Sequence, residues 1–361
     1  MKYIDEYRDR ALITKLAGKI SAAASREYTF MEVCGGHTSA IHRFGIPSLL
    51  PKNIKLLSGP GCPVCVTGTD VIDRAVAYSG MDDVIITTFG DLIRVPGSET
   101  SLERKKESGS DIRIVFSALD ALDIARSNPV KRIIFIGIGF ETTAPGTAVT
   151  IKEASKAGIN NFLVLGAHKI MPPAMEAIVS EGTRIDGFIC PGHVAAITGS
   201  SIFDFLPGRY RTGCVVTGFE PVDILQALLM LIDQVNNADP KVEIQYKRAV
   251  PAEGNRLAQK NMKEIFVTSD AVWRGFGLIP ASGLRPGKEY ERFDAELSLP
   301  VEVPFHEENR NCICPEILRG LKNPGDCPLF AVACSPGNPV GACMVSAEGA
   351  CNAWYKYKLE K

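Results

Sequence analysis

What most constrains this chain is an alternation: short apolar runs, each the length of one buried strand, separated by stretches of helical spacing. The runs are Thr29–Val33, Ile54–Leu57, Val84–Thr87 and Ile112–Phe116, then Arg132–Ile136, Phe162–Leu165, Gly187–Ile189 and Val215–Val216. Helical patterns at Ser117–Ser127, Thr147–Ala157 and Pro221–Val235 lie between or after them. Strands alternating with helices predict an α/β fold with parallel sheets and helices on both faces. Ahead of the first run, Ile4, Tyr7, Ala11, Leu12, Leu16 and Ile20 give one apolar side to an amphipathic helix ending at Ala24. A chain of 361 residues exceeds what one core usually serves. The expected division is an N-terminal helix (1–24), two α/β domains (25–118 and 119–238) and a C-terminal domain (239–361) after the composition shift at Asp239–Pro240. Glycine, proline and cysteine dominate that last part from Trp273 onward, so it is expected to be irregular, mainly helical and held by a metal staple.

Composition narrows the function. Apolar residues make up 45% and charged residues 22%, as in ordinary soluble domains, and with a net charge of −1 and no basic run no nucleic-acid partner is expected. The longest apolar stretch, Ile133 to Phe140, falls far short of the roughly 18 residues of a membrane span. Met1 to Arg10 is charged throughout, unlike a signal peptide, so the expected location is the cytoplasm. Eleven cysteines in a reducing compartment suggest ligands or redox groups rather than structural disulfides.

In wound sheets the chemistry gathers at the carboxyl ends of strands. Here those ends carry Cys34-Gly-Gly-His37-Thr, Gly59-Pro-Gly-Cys62-Pro-Val-Cys65, Gly139-Phe-Glu141-Thr-Thr, Gly166-Ala-His168-Lys and Cys190-Pro-Gly-His193. Four of the five histidines, His37, His42, His168 and His193, follow predicted strands. Cys62 and Cys65 form a CxxC at a strand-to-helix junction, where a helix N-terminus favours a thiolate and disulfide exchange. Half of a structural zinc site is the other reading, but no second CxxC or His pair completes it. Cys34 and His37 have the spacing to turn a thiolate and an imidazole toward one metal, against the plainer reading of a buried cysteine in a glycine-rich turn. Gly137-Ile-Gly-Phe-Glu-Thr142 matches a dinucleotide fingerprint weakly, because Thr142 stands where the last glycine belongs. Glu141 reads equally as a strand-end acid or base and as a helix cap, and His193 has a similar balance. Cys214 reads as core.

Six cysteines fall between Cys312 and Cys351, the others being Cys314, Cys327, Cys334 and Cys343, and prolines follow Cys314 and Cys327. Proline beside a ligand is common in ferredoxin-like cluster sites, whereas zinc favours paired CxxC knuckles that this segment lacks. Four thiolates suffice for a 4Fe-4S cluster, which leaves two. The spacing resembles the catalytic subunit of ferredoxin–thioredoxin reductase, although only one of its close cysteine pairs is kept. That resemblance implies Cys312, Cys327, Cys334 and Cys351 as cluster ligands and Cys314 with Cys343 as a redox pair.

Taken together, the Cys34, Cys62–Cys65, Gly139, Cys190 and Met344-Val-Ser-Ala-Glu348-Gly-Ala-Cys351 motifs closely resemble the HypD-type nickel–iron hydrogenase maturation factors, from Glu32 to Tyr357. The resemblance implies a scaffold that, with a HypC-type chaperone, holds iron while two cyanides and one carbon monoxide are installed. Cyanide would come from a HypE-type donor loaded by a HypF-type carbamoyltransferase. It further implies that Cys34 is the iron thiolate, shared with a chaperone cysteine and with His37 beside it. Cys62 and Cys65 would be a second dithiol, and the cluster with Cys314 and Cys343 would supply electrons. Glu141, His193 and Glu348 complete the expected site. Two rivals are a cluster-dependent thiol–disulfide oxidoreductase acting on external disulfides, and a non-catalytic metal scaffold with a structural CxxC.

Overall fold

A computed structural model describes residues 4–180, 182, 184–304 and 311–359; the ends of the expected 1–24 and 239–361 segments, with 305–310, lie outside these. The alternation read from the sequence becomes two parallel sheets. One has the order β2-β1-β7-β8-β9 and the other β4-β3-β5-β6. Their strands are β1 (Tyr28–Glu32), β2 (Ile54–Ser58), β3 (Val84–Thr88), β4 (Ile112–Ile114), β5 (Arg132–Gly139), β6 (Phe162–His168), β7 (Gly187–Pro191), β8 (Gly213–Thr217) and β9 (Val242–Ile244). A separate antiparallel hairpin joins β10 (Phe266–Trp273) and β11 (Gly277–Pro286).

The sheets do not follow the expected boundaries. β1 pairs with β7 in parallel, Met31 opposite Phe188, so the first sheet takes strands from both sides of the second. The division at 118/119 falls between β4 and β5, inside one sheet. Hydrophobic runs mark where strands are, but pairing is decided by which faces helices can cover. The 239–361 segment is likewise not a separate, mainly helical unit. It begins with β9, the edge of the first sheet, and includes the hairpin, whose Gly283 bridges to Lys169 just after β6. Its last part, from Cys314, does consist of short helices and turns.

Burial explains the strand compositions. β3, β7 and β8 are buried at every position, which parallel strands covered on both faces require. On one face of the first sheet, Leu16 and Ile20 of helix Arg10–Ala23 meet Leu225, Leu228 and Leu231 of helix Pro221–Asn236. The opposite face is sulfur-rich: Cys62, Cys65, Cys190, Cys214, Cys314, Cys343 and Cys351 share one core with Met31, Phe188 and Trp273. Cys190 and Cys214, on adjacent strands, are both buried there, so Cys214 is core as expected. At the sheet's end, fully buried Asp223 accepts from Arg248 Nη1 (2.8 Å) and Nη2 (2.6 Å), and the guanidinium lies 3.6 Å from the centre of the Tyr7 ring. Among the described residues no helix is long and apolar enough to cross a membrane.

Candidate functional site

In the first sheet the chain runs outward in both directions from the β1/β7 pair, and a wound sheet opens a crevice at that switch point. Cys34 follows β1 and His193 follows β7. They meet there, Cys34 Sγ lying 3.8 Å from His193 Nε2.

Cys34 is the N-cap of helix Gly35–Arg43, its backbone extended at φ −153° and ψ 123°. Its own N–H donates to Glu32 Oε2 (2.9 Å), and the Thr38 hydroxyl, one turn into the helix, donates to the other oxygen of that carboxylate. Glu32 thus ties the strand end to the first helical turn. Burial lifts the Glu32 carboxyl to about 7, against its hydrogen bonds from Thr38, Cys34 and Ser58. Burial also pushes the Cys34 thiol up, while the backbone N–H groups of His37 and Gly36 at the helix start favour its thiolate.

His37 is fully buried and Nε2 donates to the Gly218 carbonyl (2.9 Å), with burial holding the ring neutral at a pKa of about 3. Nδ1 is buried with no hydrogen-bond partner among the described residues. His193, only partly buried, is lowered to about 4 by desolvation. Both imidazoles stack on Phe219, at centroid distances of 4.5 Å for His37 and 5.1 Å for His193. Glu348 is exposed at the mouth, packed so closely that a Cβ at Gly35 would lie 2.4 Å from its Cβ. His193 and Glu348 therefore gather at the Cys34 turn, while the His37 ring is turned to Gly218 and Phe219.

Glu141 and His42 are engaged elsewhere. Glu141 Oε1 accepts the Met171 N–H (2.8 Å) at the start of helix Met171–Ser180, so its capping role is realised, on a helix farther along the chain. Oε2 is buried without a partner among the described residues, and burial raises the carboxyl to about 7. An acid raised from 4.5 in the folded state keeps its proton where the unfolded chain has lost it. Its burden on stability is absent below pH 4.5, grows as pH rises toward about 7, and is constant above. Glu141→Gln should therefore gain on wild type between pH 5 and pH 8 by on the order of 2 kcal/mol in urea unfolding. A pH-independent difference would show that the carboxyl is not neutral in the fold. His42 packs its ring against Trp354 at 5.7 Å.

The CxxC lies where expected, after β2 and at a helix start: Cys62 caps helix Pro63–Val66 and its sulfur accepts the Cys65 N–H (3.2 Å). The two are joined as a disulfide, 4% and 0% exposed. The loop before it touches the Cys34 loop, Gly35 N–H donating to Gly61 O (2.9 Å). Beyond it, the Cys65 sulfur is 3.9 Å from the carbonyl of Ala342, the neighbour of Cys343 in helix Ala342–Val345.

All six C-terminal cysteines line one cavity, with Leu329, Phe330, Gly341 and Met344. Cys314 hydrogen-bonds to both Cys312 and Cys343, and Cys351 is near enough to Cys314, Cys312, Cys334 and Cys327 to interact with each. A Cβ at Gly341 would come within 2.6 Å of Cys312 Sγ, so a larger residue there would have to push that thiol aside. Among the described residues no three Cys, His, Asp or Glu side chains are grouped to hold a single metal ion. The donor set is nonetheless soft and convergent, with Cys312 and Cys327 half-buried and the other four buried, and suits iron–sulfur chemistry.

The sequence did not single out Phe219 or Glu32. A signal for Phe219 was present: Gly218-Phe219-Glu220 after β8 repeats Gly139-Phe140-Glu141 after β5, and each precedes a helix beginning with proline near its first turn.

Comparison with known proteins agrees with this arrangement. The family model HypD, described as the hydrogenase formation hypA family, matches residues 11–358. A hydrogenase maturation factor HypD of Azotobacter vinelandii is 47% identical, covering 100% of this chain and 98% of the relative. One from Cupriavidus necator is 45% identical (99% and 97%), and one from Escherichia coli K12 is 41% identical (100% and 99%). With its Cys34 crevice, buried CxxC and convergent C-terminal thiols, this chain belongs to the HypD family of hydrogenase maturation factors.

Proposed function

We propose that this protein, together with a HypC-type chaperone, holds iron on Cys34 while the Fe(CN)2CO centre of a nickel–iron hydrogenase is assembled. One observation carries the reading: contacts join three sulfur groups in succession, the Cys34 crevice, the Cys62–Cys65 disulfide whose loop touches it, and Cys343 of the six-thiol cavity, next to the Ala342 carbonyl that Cys65 meets. Iron is the substrate here. Cys34 Sγ must lose its proton to bind it, and His193 Nε2 at 3.8 Å is placed to take that proton. A chaperone cysteine completes the holding pair, and a HypE-type protein brings cyanide.

The six-thiol cavity fits a resident 4Fe-4S cluster on Cys312, Cys327, Cys334 and Cys351. All four line the one cavity, and a cluster that takes one thiolate on each of its four iron atoms needs four such donors around it. Such a cluster, when bound, supplies electrons singly. Cys314 and Cys343 remain as a hydrogen-bonded dithiol beside it. The Cys62–Cys65 disulfide takes two electrons and two protons to become a dithiol next to the iron-holding thiol.

Its burial disfavours the rival reading, since a disulfide 4% and 0% exposed is out of reach of an external protein disulfide. Anaerobic co-purification with the chaperone, read by infrared and Mössbauer spectroscopy and by sulfide content, tests the proposal. Cyanide and carbonyl bands with a separate four-iron signal are expected. Zinc without sulfide, or rapid insulin reduction without those bands, would overturn it.

A further inference from the structure

We propose that Phe219 is the positioning residue of the Cys34 site: stacked on both His37 and His193, its ring aims His193 at the thiol and keeps His37 away from it. The consequence for iron holding rests on the reading of Cys34 given above. The clamp itself rests on geometry alone.

Phe219 lies nearly parallel to both imidazoles, with interplanar angles of 23° to His37 and 19° to His193. A ring stacked on two imidazoles cannot turn without losing both contacts. The loop beneath is held tightly. Gly218 N–H donates to Gln245 Oε1 (3.3 Å), the Thr217 hydroxyl donates to the same oxygen (3.0 Å), and the Tyr246 ring meets the Phe219 edge at 6.3 Å. The Gly218 carbonyl also accepts from His37 Nε2, so one dipeptide, Gly218-Phe219, fixes His37 by its backbone and by its ring.

Crowding on the thiol side completes the device. A Cβ at Gly36 would lie 3.3 Å from Phe219 and 3.5 Å from Cys34 Sγ, so the ring and the thiol share one narrow space. With the ring there, His193 is the imidazole at the sulfur, 3.8 Å away, while His37 spends its Nε2 proton on Gly218. The equivalent phenylalanine of the other sheet, Phe140, stacks on Trp273 at 5.9 Å instead, so the repeated Gly-Phe-Glu turn sets an aromatic plate and its neighbours decide the use.

Phe219→Leu removes the plate and keeps bulk, whereas Phe219→Tyr keeps the plate. In apoprotein with carbon-13-labelled histidine, whose five residues give resolvable ring signals, Phe219→Leu should shift the His37 and His193 ring resonances and Phe219→Tyr should leave them in place. With the chaperone bound, Phe219→Leu should retain cyanide-ligated iron roughly 10–100-fold less well and move its infrared bands, while the four-iron signal is unchanged. Phe219→Tyr should behave as wild type. Unmoved resonances in Phe219→Leu, wild-type retention by it, or lost retention by Phe219→Tyr would each overturn the proposal. If wild-type protein holds no cyanide-ligated iron, the proposed function fails instead, and the apoprotein resonances still decide the clamp.

Discussion

Cys34→Ala is expected to abolish retention of cyanide-ligated iron while leaving the four-iron cluster and the fold in place. The thiol lies in the switch-point crevice, only 3% exposed, beside His193, and among the described residues the cysteines of the neighbouring loop, Cys62 and Cys65, are tied up in a disulfide. The disulfide sulfurs are bonded to each other, and the remaining free thiols belong to the β7–β8 core or the C-terminal cavity. Loss of the sulfur therefore removes the chain's own ligand with no substitute. The fold should tolerate it. What fixes this turn is the carboxylate of Glu32, which bonds the Cys34 backbone N–H and the Thr38 hydroxyl, and both donors survive the substitution. Deleting one buried sulfur costs about 1–2 kcal/mol by the scale of small core truncations. The measurement is iron and sulfide content with infrared spectroscopy of the mutant–chaperone complex. Cyanide and carbonyl bands persisting at wild-type intensity would remove Cys34 from the role.

Most strands of this fold were legible because parallel strands buried on both faces read as unbroken apolar runs. Ile54–Leu57 became Ile54–Ser58 and Val84–Thr87 became Val84–Thr88, while β5 and β6 extend past their runs into Gly139 and His168. Three features were not legible. Strand neighbours were hidden, because the partner of β1 is β7, far along the chain. The β10–β11 hairpin was hidden because it is largely exposed, with only Phe266 and Trp273 buried in β10, and a bulge between Ser269 and Ala271 breaks its alternation. The six thiols were expected to converge; hidden was the path, because the short helices and turns that carry Cys314, Cys343 and Cys351 are too brief to show periodicity. The motif residues themselves were visible as rare types at strand ends. Whether each did chemistry or capping was decided only by position, as Glu141 on the Met171 N–H and His193 at the Cys34 sulfur demonstrate.

Gly61→Ala should be strongly damaging, since it strikes a close contact that sets the CxxC loop against the Cys34 loop. A Cβ there would lie 2.0 Å from Cys34 N, 2.3 Å from Cys34 Cα and 2.4 Å from the Val33 carbonyl carbon. All three are backbone atoms, so no rotamer change relieves the overlap, and the two loops must part. Parting breaks the Gly35 N–H to Gly61 O bond and shifts the N-cap of helix Gly35–Arg43, and with it the 3.8 Å approach of Cys34 to His193. The expected loss is about 3 kcal/mol, the upper part of the range for overpacked sites, together with the iron-holding function. Gly18→Ala is the matched control: nothing lies within 4 Å of its Cβ, and it sits inside helix Arg10–Ala23. There the added methyl should stabilise by roughly 0.5–1 kcal/mol, because alanine surrenders less backbone freedom than glycine on entering a helix. Urea unfolding of both variants reads the pair. A Gly61→Ala protein as stable as wild type would mean that the two loops are not in contact, and that the disulfide does not lie beside the thiol it is proposed to serve.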